Sequence, residues 1–411
     1  MNRPNDPPSN ADFPASTLDS VPSTSVEDHE QTGPEPPLCV DLDGTLICSD
    51  LLWESVALLA RERPLDLFRI PLWLLSGRAH LKQQIADRVQ PDAETLPYRQ
   101  EVVDFIRAER QRGRSVVLVT ASNKAYAQAV AQQLGLFNQV VASDGQNNLK
   151  GRQKLEAIRA QFGDGDFDYI GDSSADLAVW AEARRVLVAA PTRAVLRQVH
   201  KIATPEKVFG QTRFGARLRS IVRMLRPHQW AKNLLLFVPV FTSHTTSVAV
   251  WLLAMLGFIA FSLTASAVYV VNDLVDLQVD RHHPNKRRRP LAAGKVAIPT
   301  AAIIAAGLLL AASMIAAALP VRFAAILLIY ILLTTSYSIY LKRKLLVDVF
   351  CLAGLYTLRI QAGSAATEIL TSPWLNAFSV FLFLSLAYLK RFTEISENLS
   401  RPADERIRGR G

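Results

Sequence analysis

The 411-residue sequence contains only three cysteines, Cys39, Cys48 and Cys351. An odd number of cysteines cannot form a fully paired framework, which excludes a small secreted domain stapled by disulfides. The chain also lacks an apolar stretch behind a basic start, so its first residues do not form a signal peptide. Apolar residues make up 49% of the chain, and 46 basic residues face 37 acidic ones. This composition is too apolar for an ordinary soluble protein and predicts a membrane protein with a soluble part.

The distribution of charge and proline divides the chain into four segments. Residues 1–37 contain eight prolines, seven acidic residues and one arginine, and we expect a disordered tail because such a segment cannot bury enough apolar surface. Residues 38–205 have mixed polarity and are predicted to form a soluble domain. Residues 206–225 are a linker or an interfacial segment. Residues 226–411 are predicted to form an all-α transmembrane domain.

Four long windows of this last segment contain no Asp, Glu, Lys or Arg, and a fifth, at 345–366, contains only Asp348 and Arg359 as charged residues. A membrane-spanning helix needs about 20 consecutive apolar residues. The windows therefore predict six spans, at about 229–242, 248–271, 296–319, 322–340, 345–366 and 372–389.

Basic residues lie in alternate loops between these spans. They occupy the segments 281–295, 342–344 and 390–391, whereas Arg322 is the only basic residue of the other loops. By the positive-inside rule, the basic loops and residues 1–225 face the cytoplasm. We therefore expect a multi-pass protein of the cytoplasmic (inner) membrane.

The soluble segment alternates short β-rich runs with helical stretches, which predicts an α/β domain with a parallel sheet. Polar side chains follow several of the strands: Asp41 and Asp43 follow the first, and Thr120 and Asp172 follow later ones. The carboxyl ends of parallel strands meet at one edge of the sheet, where ligands bind. Asp41 and Asp172 could hold Mg²⁺ there, and a carboxylate can act as the nucleophile in phosphoryl transfer.

These residues resemble the four motifs of the haloacid dehalogenase (HAD) superfamily of phosphatases. The matching stretches are Asp41-Leu-Asp-Gly-Thr45, Thr120, Lys154 and Gly171-Asp172-Ser-Ser-Ala-Asp176. The resemblance covers the soluble segment and implies a Rossmann-like fold with a helical cap at about 50–110.

The HAD resemblance also implies a role for each matching residue. Asp41 is the nucleophile, Asp43 the general acid and base, and Thr120 and Lys154 hold the phosphate and its charge. Asp172, supported by Asp176, binds Mg²⁺ together with Asp41 and Asp43. Lys150 is an alternative to Lys154, because both precede the last motif.

An acidic stretch, Asn272-Asp-Leu-Val-Asp-Leu-Gln-Val-Asp280, closes the second predicted span. On a continuous helix Asp273, Asp276 and Asp280 fall within one narrow stripe. Three carboxylates at a membrane boundary are costly, and a divalent cation that bridges a diphosphate would remove this cost. The pattern therefore predicts Mg²⁺ and a diphosphate substrate.

Basic residues accompany the acidic stretch. Lys286–Arg289 follow it directly, and Lys342 and Arg359 belong to later parts of the chain. Arg359 lies in the middle of a predicted span, where a cation is costly and usually functional. Two alternatives remain open: Lys286–Arg289 as an ordinary topogenic cluster, and Arg359 as a structural partner of Asp348.

The membrane segment resembles the UbiA superfamily of intramembrane prenyltransferases, whose first aspartate-rich motif is Asn-Asp-x-x-Asp-x-x-x-Asp. Within that superfamily it is most similar to the decaprenyl-phosphate phosphoribosyltransferases, through Arg226–Asn233, Asn272–Gly294 and Tyr337–Lys342. The resemblance implies that Asp273 and Asp276 are catalytic and that they bind Mg²⁺ together with Asp280. The substrate-binding residues that it implies are Lys232, Asn233, Asn272, Arg287, Lys342, Arg359, Lys390 and Arg391.

The sequence departs from the superfamily pattern in two places. Aromatic prenyltransferases carry a second acidic motif after span six, where this chain has Lys390, Arg391 and Glu394. The superfamily has nine spans and six are predicted here, so the bundle is expected to be incomplete.

The expected function is Mg²⁺-dependent transfer of phosphoribose from phosphoribosyl diphosphate to a polyprenyl phosphate, within the synthesis of a cell-wall precursor. The HAD-like domain would dephosphorylate the lipid product. Three alternatives are an aromatic prenyltransferase with a prenyl diphosphate donor, a membrane-anchored phosphatase, and a non-catalytic transporter or scaffold. The expected partners are a polyprenyl lipid, phosphoribosyl diphosphate and the bilayer, without nucleic acid.

Overall fold

The computed structural model describes residues 35–144, 147–211, 214–341 and 345–399. The described chain forms an α/β domain around one sheet, followed by a domain of long helices. Most of the segment 1–37, which was predicted to be disordered, lies outside the described residues.

A six-stranded parallel sheet forms the centre of the first domain. Its strands, in the spatial order β3-β2-β1-β4-β5-β6, place β1 in the middle. The strands β1 to β3 extend toward one edge of the sheet and β4 to β6 toward the other, so the strand order reverses between β1 and β4. Folds of this class bind ligands at such a switch point. The strands are β1 (Leu38–Val40), β2 (Val116–Asn123), β3 (Gln139–Ser143), β4 (Asp168–Gly171), β5 (Val186–Ala189) and β6 (Lys207–Phe209).

Helices cover both faces of this sheet. Because successive side chains of a strand point to opposite faces, Leu38 and Val40 belong to one apolar core and Cys39 to the other. The helices are α1 (Leu51–Glu62), α2 (Ile70–Leu75), α3 (Arg78–Ala86), α4 (Gln100–Gln111), α5 (Lys124–Leu134), α6 (Arg152–Phe162), α7 (Leu177–Trp180) and α8 (Arg193–Ile202). Shorter 3₁₀ helices span Pro64–Arg69, Ala93–Thr95 and Ser174–Asp176.

The predicted cap at about 50–110 includes a helix that belongs to the sheet. Helix α4 packs Val102, Val103 and Ile106 into the same core as Val40 of β1. The helices α1 to α3 instead form their own small core, with Leu59 and residues of the same segment. The part that stands off the sheet therefore ends before α4.

The second domain consists of α-helices of between 5 and 28 residues. They are α9 (Phe214–Leu225), α10 (Val238–Thr242), α11 (Val248–Val275), α12 (Leu277–His282), α13 (Ile298–Ala317), α14 (Val321–Ile339), α15 (Leu345–Thr367) and α16 (Pro373–Leu399), with 3₁₀ helices at Pro227–Phe237 and Lys286–Arg288. Four helical segments of the described chain are long and apolar enough to cross a membrane: Val248–Val275, Ile298–Ala317, Val321–Ser338 and Pro373–Thr393. Helix α15 coincides with the fifth predicted span and carries Asp348 and Arg359.

The first predicted span, at about 229–242, is not among the four helical segments of the described chain that are long and apolar enough to cross a membrane. The chain there forms the 3₁₀ helix Pro227–Phe237 and the five-residue helix α10. Pro227 opens the 3₁₀ helix and Pro239 lies in the first turn of α10, and proline lacks the N–H that a continuous helix needs. The 3₁₀ helix packs closely on α15, because a Cβ at Gly363 would lie 1.9 Å from the carbonyl oxygen of Leu236.

The two domains meet through α1. Ala57 of α1 shares an apolar cluster with Met224, Val270 and Leu291 of the membrane domain. Beside this cluster, the buried side chains of Glu54 and Arg281 form an ion pair. The acidic end of α11 therefore lies next to the first helix of the HAD-like domain.

Candidate active sites

Asp41 follows β1 at the switch point of the sheet and is buried. Its backbone N–H donates to the carbonyl of Ile170 on β4 at 3.0 Å. Lys154 donates from Nζ to Asp41 Oδ1 at 2.8 Å, and the Thr45 hydroxyl lies 3.4 Å from Oδ2. Of the two candidate lysines, Lys154 therefore reaches Asp41, whereas the side chain of Lys150 is exposed.

The carboxylates of Asp172 and Asp176 converge on that of Asp41. One oxygen each of Asp41, Asp172 and Asp176 lies within 4.8 Å of the other two. Gly44 makes this approach possible, because a Cβ there would lie 2.1 Å from Asp172 Oδ2, and its φ of +76° favours glycine. Burial and the negative charge of Asp41 raise the pKa of Asp172 to about 8. Three close oxygen ligands with unbalanced charge fit a hard divalent cation such as Mg²⁺.

Asp43 lies outside this group of carboxylates. Its Oδ1 accepts a hydrogen bond from the Leu51 N–H at 2.8 Å, and its Oδ2 accepts one from the Ser122 hydroxyl. Burial and the charge of Asp50 raise the pKa of Asp43 to about 7. A carboxyl with a pKa near neutrality suits a general acid and base, and Asp43 does not share the cluster that fits the metal.

The edge of the sheet next to Asp43 carries Thr120 and a lysine of the cap. Thr120 is fully buried, and its hydroxyl accepts a hydrogen bond from the Ser122 N–H at 3.0 Å. Lys82 of α3 donates to the carbonyl of Ala121 and, at 3.1 Å, to Asn148 Oδ1. Sequence analysis missed Lys82, because no motif marks it and only the fold brings α3 to this edge.

The acidic stretch of the membrane domain is neutralised by arginines. Asp273 accepts hydrogen bonds from Arg226 at 2.6 and 2.8 Å and from Arg289 at 2.9 Å. The Nη1 atom of Arg289 that donates to Asp273 also donates to Asp280, at 2.5 Å. Asp273 and Asp280 therefore converge on one cationic group.

Asp276 does not join them, which corrects the prediction that three carboxylates share one stripe. The helix breaks at Asp276 (φ −89°, ψ 10°) between α11 and α12. Its carboxylate accepts a hydrogen bond at 2.6 Å from Arg61 of α1. Among the described residues, no three carboxylates of the membrane domain come within 4.8 Å of one another.

Fewer carboxylates of this stretch therefore converge than the sequence predicts for a metal site. Asp280 Oδ1 is buried without a hydrogen bond among the described residues, and Lys286 Nζ lies 3.8 Å from it. Asp273 and Asp280 are the two carboxylates that converge, and Arg289 Nη1 contacts both of them. Asp276 is oriented toward the other domain.

Arg359 is buried in the helical domain and forms no ion pair with a carboxylate of the described chain. Its Nε donates to Asn233 Oδ1 at 2.9 Å. Its guanidinium carbon lies 5.4 to 5.5 Å from the ring centres of Phe261, Tyr330 and Tyr356. Arg359 is therefore held by an amide and by aromatic faces, and not by Asp348.

The other predicted substrate-binding residues fall into two places. Lys232 Nζ lies 5.9 Å from the centre of the Tyr356 ring, and the guanidinium carbon of Arg359 lies 5.5 Å from the same centre. Lys390 is exposed on α16. Arg391 Nη1 is 3.9 Å from Asp348 Oδ2, and Asp348 accepts a hydrogen bond from Tyr337.

The remaining predicted residues are more separate. Asn272 is half-buried next to Asp273. Arg287 is exposed and lines a cavity of about 860 Å³ between the two domains. Lys342 lies outside the described residues.

Comparison with known families separates the same two domains. Residues 38–180 match the haloacid dehalogenase-like hydrolases. Residues 234–400 match the UbiA prenyltransferase family. The four helices long enough to cross a membrane fall within the second match, and β1 to β4 fall within the first, whereas β5 and β6 follow it.

Individual proteins resemble the chain over different lengths. The protein y4nM of Sinorhizobium fredii is 38% identical over 383 residues, which cover 91% of this chain and 72% of that protein. A decaprenyl-phosphate phosphoribosyltransferase of Mycobacterium tuberculosis is 33% identical over 182 residues, 43% of this chain and 60% of that protein. A solved UbiA homolog from Archaeoglobus fulgidus, bound to DMAPP and Mg²⁺, is 25% identical with a TM-score of 0.36, and the match covers 40% of this chain and 60% of that one.

Proposed function

Because this chain belongs to the UbiA prenyltransferase family and carries an N-terminal haloacid dehalogenase-like domain, we propose that it transfers phosphoribose from phosphoribosyl diphosphate to a polyprenyl phosphate. The HAD-like domain then removes the 5-phosphate of the lipid-linked product. The protein is a multi-pass membrane transferase, and the proposal concerns its donor, its acceptor and the order of the two reactions.

The observation that carries the choice of acceptor is the cationic cluster of the helical domain. Lys232 Nζ and the guanidinium carbon of Arg359 lie 5.9 and 5.5 Å from the centre of the Tyr356 ring. Lys390 and Arg391 stand where aromatic prenyltransferases of the superfamily carry their second acidic motif. Cations at this place favour an anionic acceptor such as a lipid phosphate over a neutral aromatic ring. The similarity to decaprenyl-phosphate phosphoribosyltransferases supports the same choice.

In the proposed transfer, an oxygen of the polyprenyl phosphate attacks C1 of the ribose, and the bond from C1 to the diphosphate breaks. Arg226 and Arg289 stand beside Asp273, where their guanidinium groups can bind diphosphate oxygens. Arg359, fixed by Asn233, orients the acceptor phosphate. Mg²⁺ held by Asp273 and Asp280 would stabilise the charge of the diphosphate as it leaves.

In the proposed phosphatase reaction, Asp41 attacks the 5-phosphate and Asp43 donates a proton to the ribose oxygen that leaves. Lys154 donates a hydrogen bond to Asp41 Oδ1. The other carboxylate oxygen, Oδ2, is therefore the atom that attacks. Asp43 then takes a proton from a water molecule that hydrolyses the aspartyl phosphate, so inorganic phosphate is released. Mg²⁺ held by Asp41, Asp172 and Asp176 would balance the charge of the phosphate.

Both proposed sites lie on one side of the membrane, because α1 joins the acidic end of α11 to the loop after β1. The basic residues of the alternate loops favour the cytoplasm as this side. A product released by the transferase would then meet the phosphatase domain at a high effective concentration.

The proposal is tested with membranes that contain the full chain, incubated with phosphoribosyl diphosphate, a polyprenyl phosphate and Mg²⁺. Wild type should yield lipid-linked ribose without the 5-phosphate, and Asp41→Asn should accumulate the 5-phosphorylated lipid. Asp273→Asn should yield neither product, whereas Asp104→Asn, a change of an exposed carboxylate, should behave as wild type. Transfer from a labelled prenyl diphosphate to an aromatic acceptor instead would contradict the proposal, as would a phosphatase activity that is the only activity found.

A further inference from the structure

The segment Pro64–Leu75, which follows α1, carries a row of apolar side chains that no part of the described chain covers. Leu65, Phe68, Leu72 and Leu75 are between 64% and 85% exposed. They recur every three or four residues along a helical segment, so they lie on one face of it. We call this row the outer face of Pro64–Leu75.

The opposite face of the same segment is also apolar, and it is buried. Leu67, Ile70 and Trp73 pack into the small core that α1 and α3 form with it. A helix that is apolar on both sides is normally covered on both sides. The outer face therefore needs a cover that the described chain does not provide.

The place of the segment in the fold indicates what this cover is. Arg61, three residues before Pro64, donates a hydrogen bond at 2.6 Å to Asp276. Asp276 directly follows α11, one of the helices long and apolar enough to cross a membrane. The segment therefore starts at the level where α11 leaves the membrane.

The segment is too short to cross the bilayer itself. Its twelve residues extend about 18 Å as a helix, against a hydrocarbon core of about 30 Å. Arginines flank the apolar row, and the side chains of Arg63, Arg69 and Arg78 are exposed. Short amphipathic segments with basic residues beside an apolar face lie in the plane of the membrane interface.

Helix α9 shows the same combination at the same level. Its residues Phe214, Leu218 and Val222 are exposed, and Met224 at its end packs in the cluster that also holds Ala57 of α1. Helix α9 leads into the membrane domain, and it shares with α1 the apolar cluster at which the two domains meet.

From these observations we propose that the outer face of Pro64–Leu75 is inserted into the interfacial layer of the bilayer that surrounds the transmembrane helices. The cap of the HAD-like domain is then a peripheral membrane element as well as part of a phosphatase fold. This inference rests on exposure and position, and it holds whichever substrates the two sites use.

The test uses the full chain in lipid nanodiscs that contain phosphatidylcholine and phosphatidylglycerol. Cys48 and Cys351 are replaced by serine, Cys39 remains because it is fully buried, and a nitroxide is attached to Phe68→Cys or to Leu75→Cys. The matched control is Gln111→Cys, which is exposed at the end of α4, next to the start of β2 and opposite the edge that carries Asp41.

Collision rates with oxygen and with a nickel chelate distinguish the outcomes. The proposal predicts that oxygen relaxes the labels at positions 68 and 75 more than the chelate does, with the order reversed at position 111. Equal chelate access at all three positions would overturn the proposal. Protection of positions 68 and 75 from both reagents would also overturn it, because a protein surface, such as a second copy of the chain, would then cover the outer face.

Discussion

Arg281 donates hydrogen bonds from its two terminal nitrogens to the two carboxylate oxygens of Glu54, at 2.9 and 2.6 Å. Arg281 follows Asp280 of the membrane domain, and Glu54 lies on α1, the helix after the loop that carries Asp41 and Asp43. Both side chains are buried, and the Ser49 hydroxyl also donates to Glu54. This ion pair therefore connects the region around the carboxylates of the HAD-like domain with the region around the carboxylates of the membrane domain.

Replacing one member of this pair should destabilise the protein strongly. Glu54→Gln leaves the buried guanidinium of Arg281 without its counter-charge, a change that costs about 3–5 kcal/mol in typical proteins. The measurement is the thermal unfolding midpoint of the purified chain in detergent.

The matched control is Asp104→Asn, which removes an exposed ion pair with Arg107 and should cost less than about 1 kcal/mol. If the two variants unfold at the same temperature, the interdomain pair does not stabilise the protein in the way described.

Two glycines of α15 should respond in opposite ways to alanine. At Gly363 a Cβ would lie 1.9 Å from the Leu236 carbonyl oxygen, so Gly363→Ala must push the 3₁₀ helix away from α15. At Gly354 the nearest atom is 4.0 Å away, so Gly354→Ala should stabilise the helix by up to about 1 kcal/mol. Thermal unfolding of both variants tests this packing, and equal stability would show that α15 does not approach Leu236 so closely.

The stabilisation of the HAD-like domain by Mg²⁺ should grow with pH. The pKa of Asp172 is raised from an ordinary value of 3.8 to about 8, so the folded state binds its proton more tightly than the unfolded state does. Without metal, the contribution of this group to stability therefore falls as pH rises from about 4 to about 8. Mg²⁺ binds the ionised carboxylate of Asp172. At a pH where this form dominates, bound Mg²⁺ removes the electrostatic cost of the buried negative charge.

The measurement is the shift in the unfolding midpoint on addition of Mg²⁺ at pH 6 and at pH 8.5. Wild type should show the larger shift at pH 8.5, whereas Asp172→Asn should show little dependence on pH from this site. A shift in wild type that is the same at both values would contradict the assignment of Asp172 as a ligand.

Arg359 should be needed for transfer and not for phosphatase chemistry. Removing a positioned donor of this kind typically lowers the rate by about 10²–10³-fold, and we expect a loss of that size for Arg359→Gln. Arg359→Lys should restore little, because lysine lacks the planar group that bonds Asn233 while lying on three rings. Hydrolysis of a soluble phosphate monoester by the same preparations is the internal control, and loss of both activities would indicate misfolding instead.

Much of the HAD-like site could be predicted from local sequence. Asp41, Thr120 and Asp172 each follow a β-rich run, and the topology of a parallel sheet brings such positions together. The sequence restricts the lysine of the site only to Lys150 or Lys154, because the choice depends on which face of α6 meets Asp41. Lys82 gave no signal, since its position depends on how the cap folds back on the sheet.

The membrane domain was predicted less completely. Hydropathy locates the long helices, but it does not show that residues Pro227–Phe237 form a 3₁₀ helix. The spacing of Asp273, Asp276 and Asp280 assumes one continuous helix, and the break at Asp276 removes that assumption. The partner of Asp276, Arg61 of the other domain, is more than 200 positions away in the sequence. No local pattern indicates such a partner.

The central claim is that phosphoribosyl diphosphate is the donor and that Asp273 is needed for its Mg²⁺-dependent use. The most direct measurement is the transfer of ribose label to the organic phase by purified, chelator-treated protein supplied with phosphoribosyl diphosphate and a polyprenyl phosphate. The account predicts label in the lipid only when Mg²⁺ is restored, and none with Asp273→Asn. Undiminished transfer without Mg²⁺, or label that enters lipid only from a prenyl diphosphate, would contradict it.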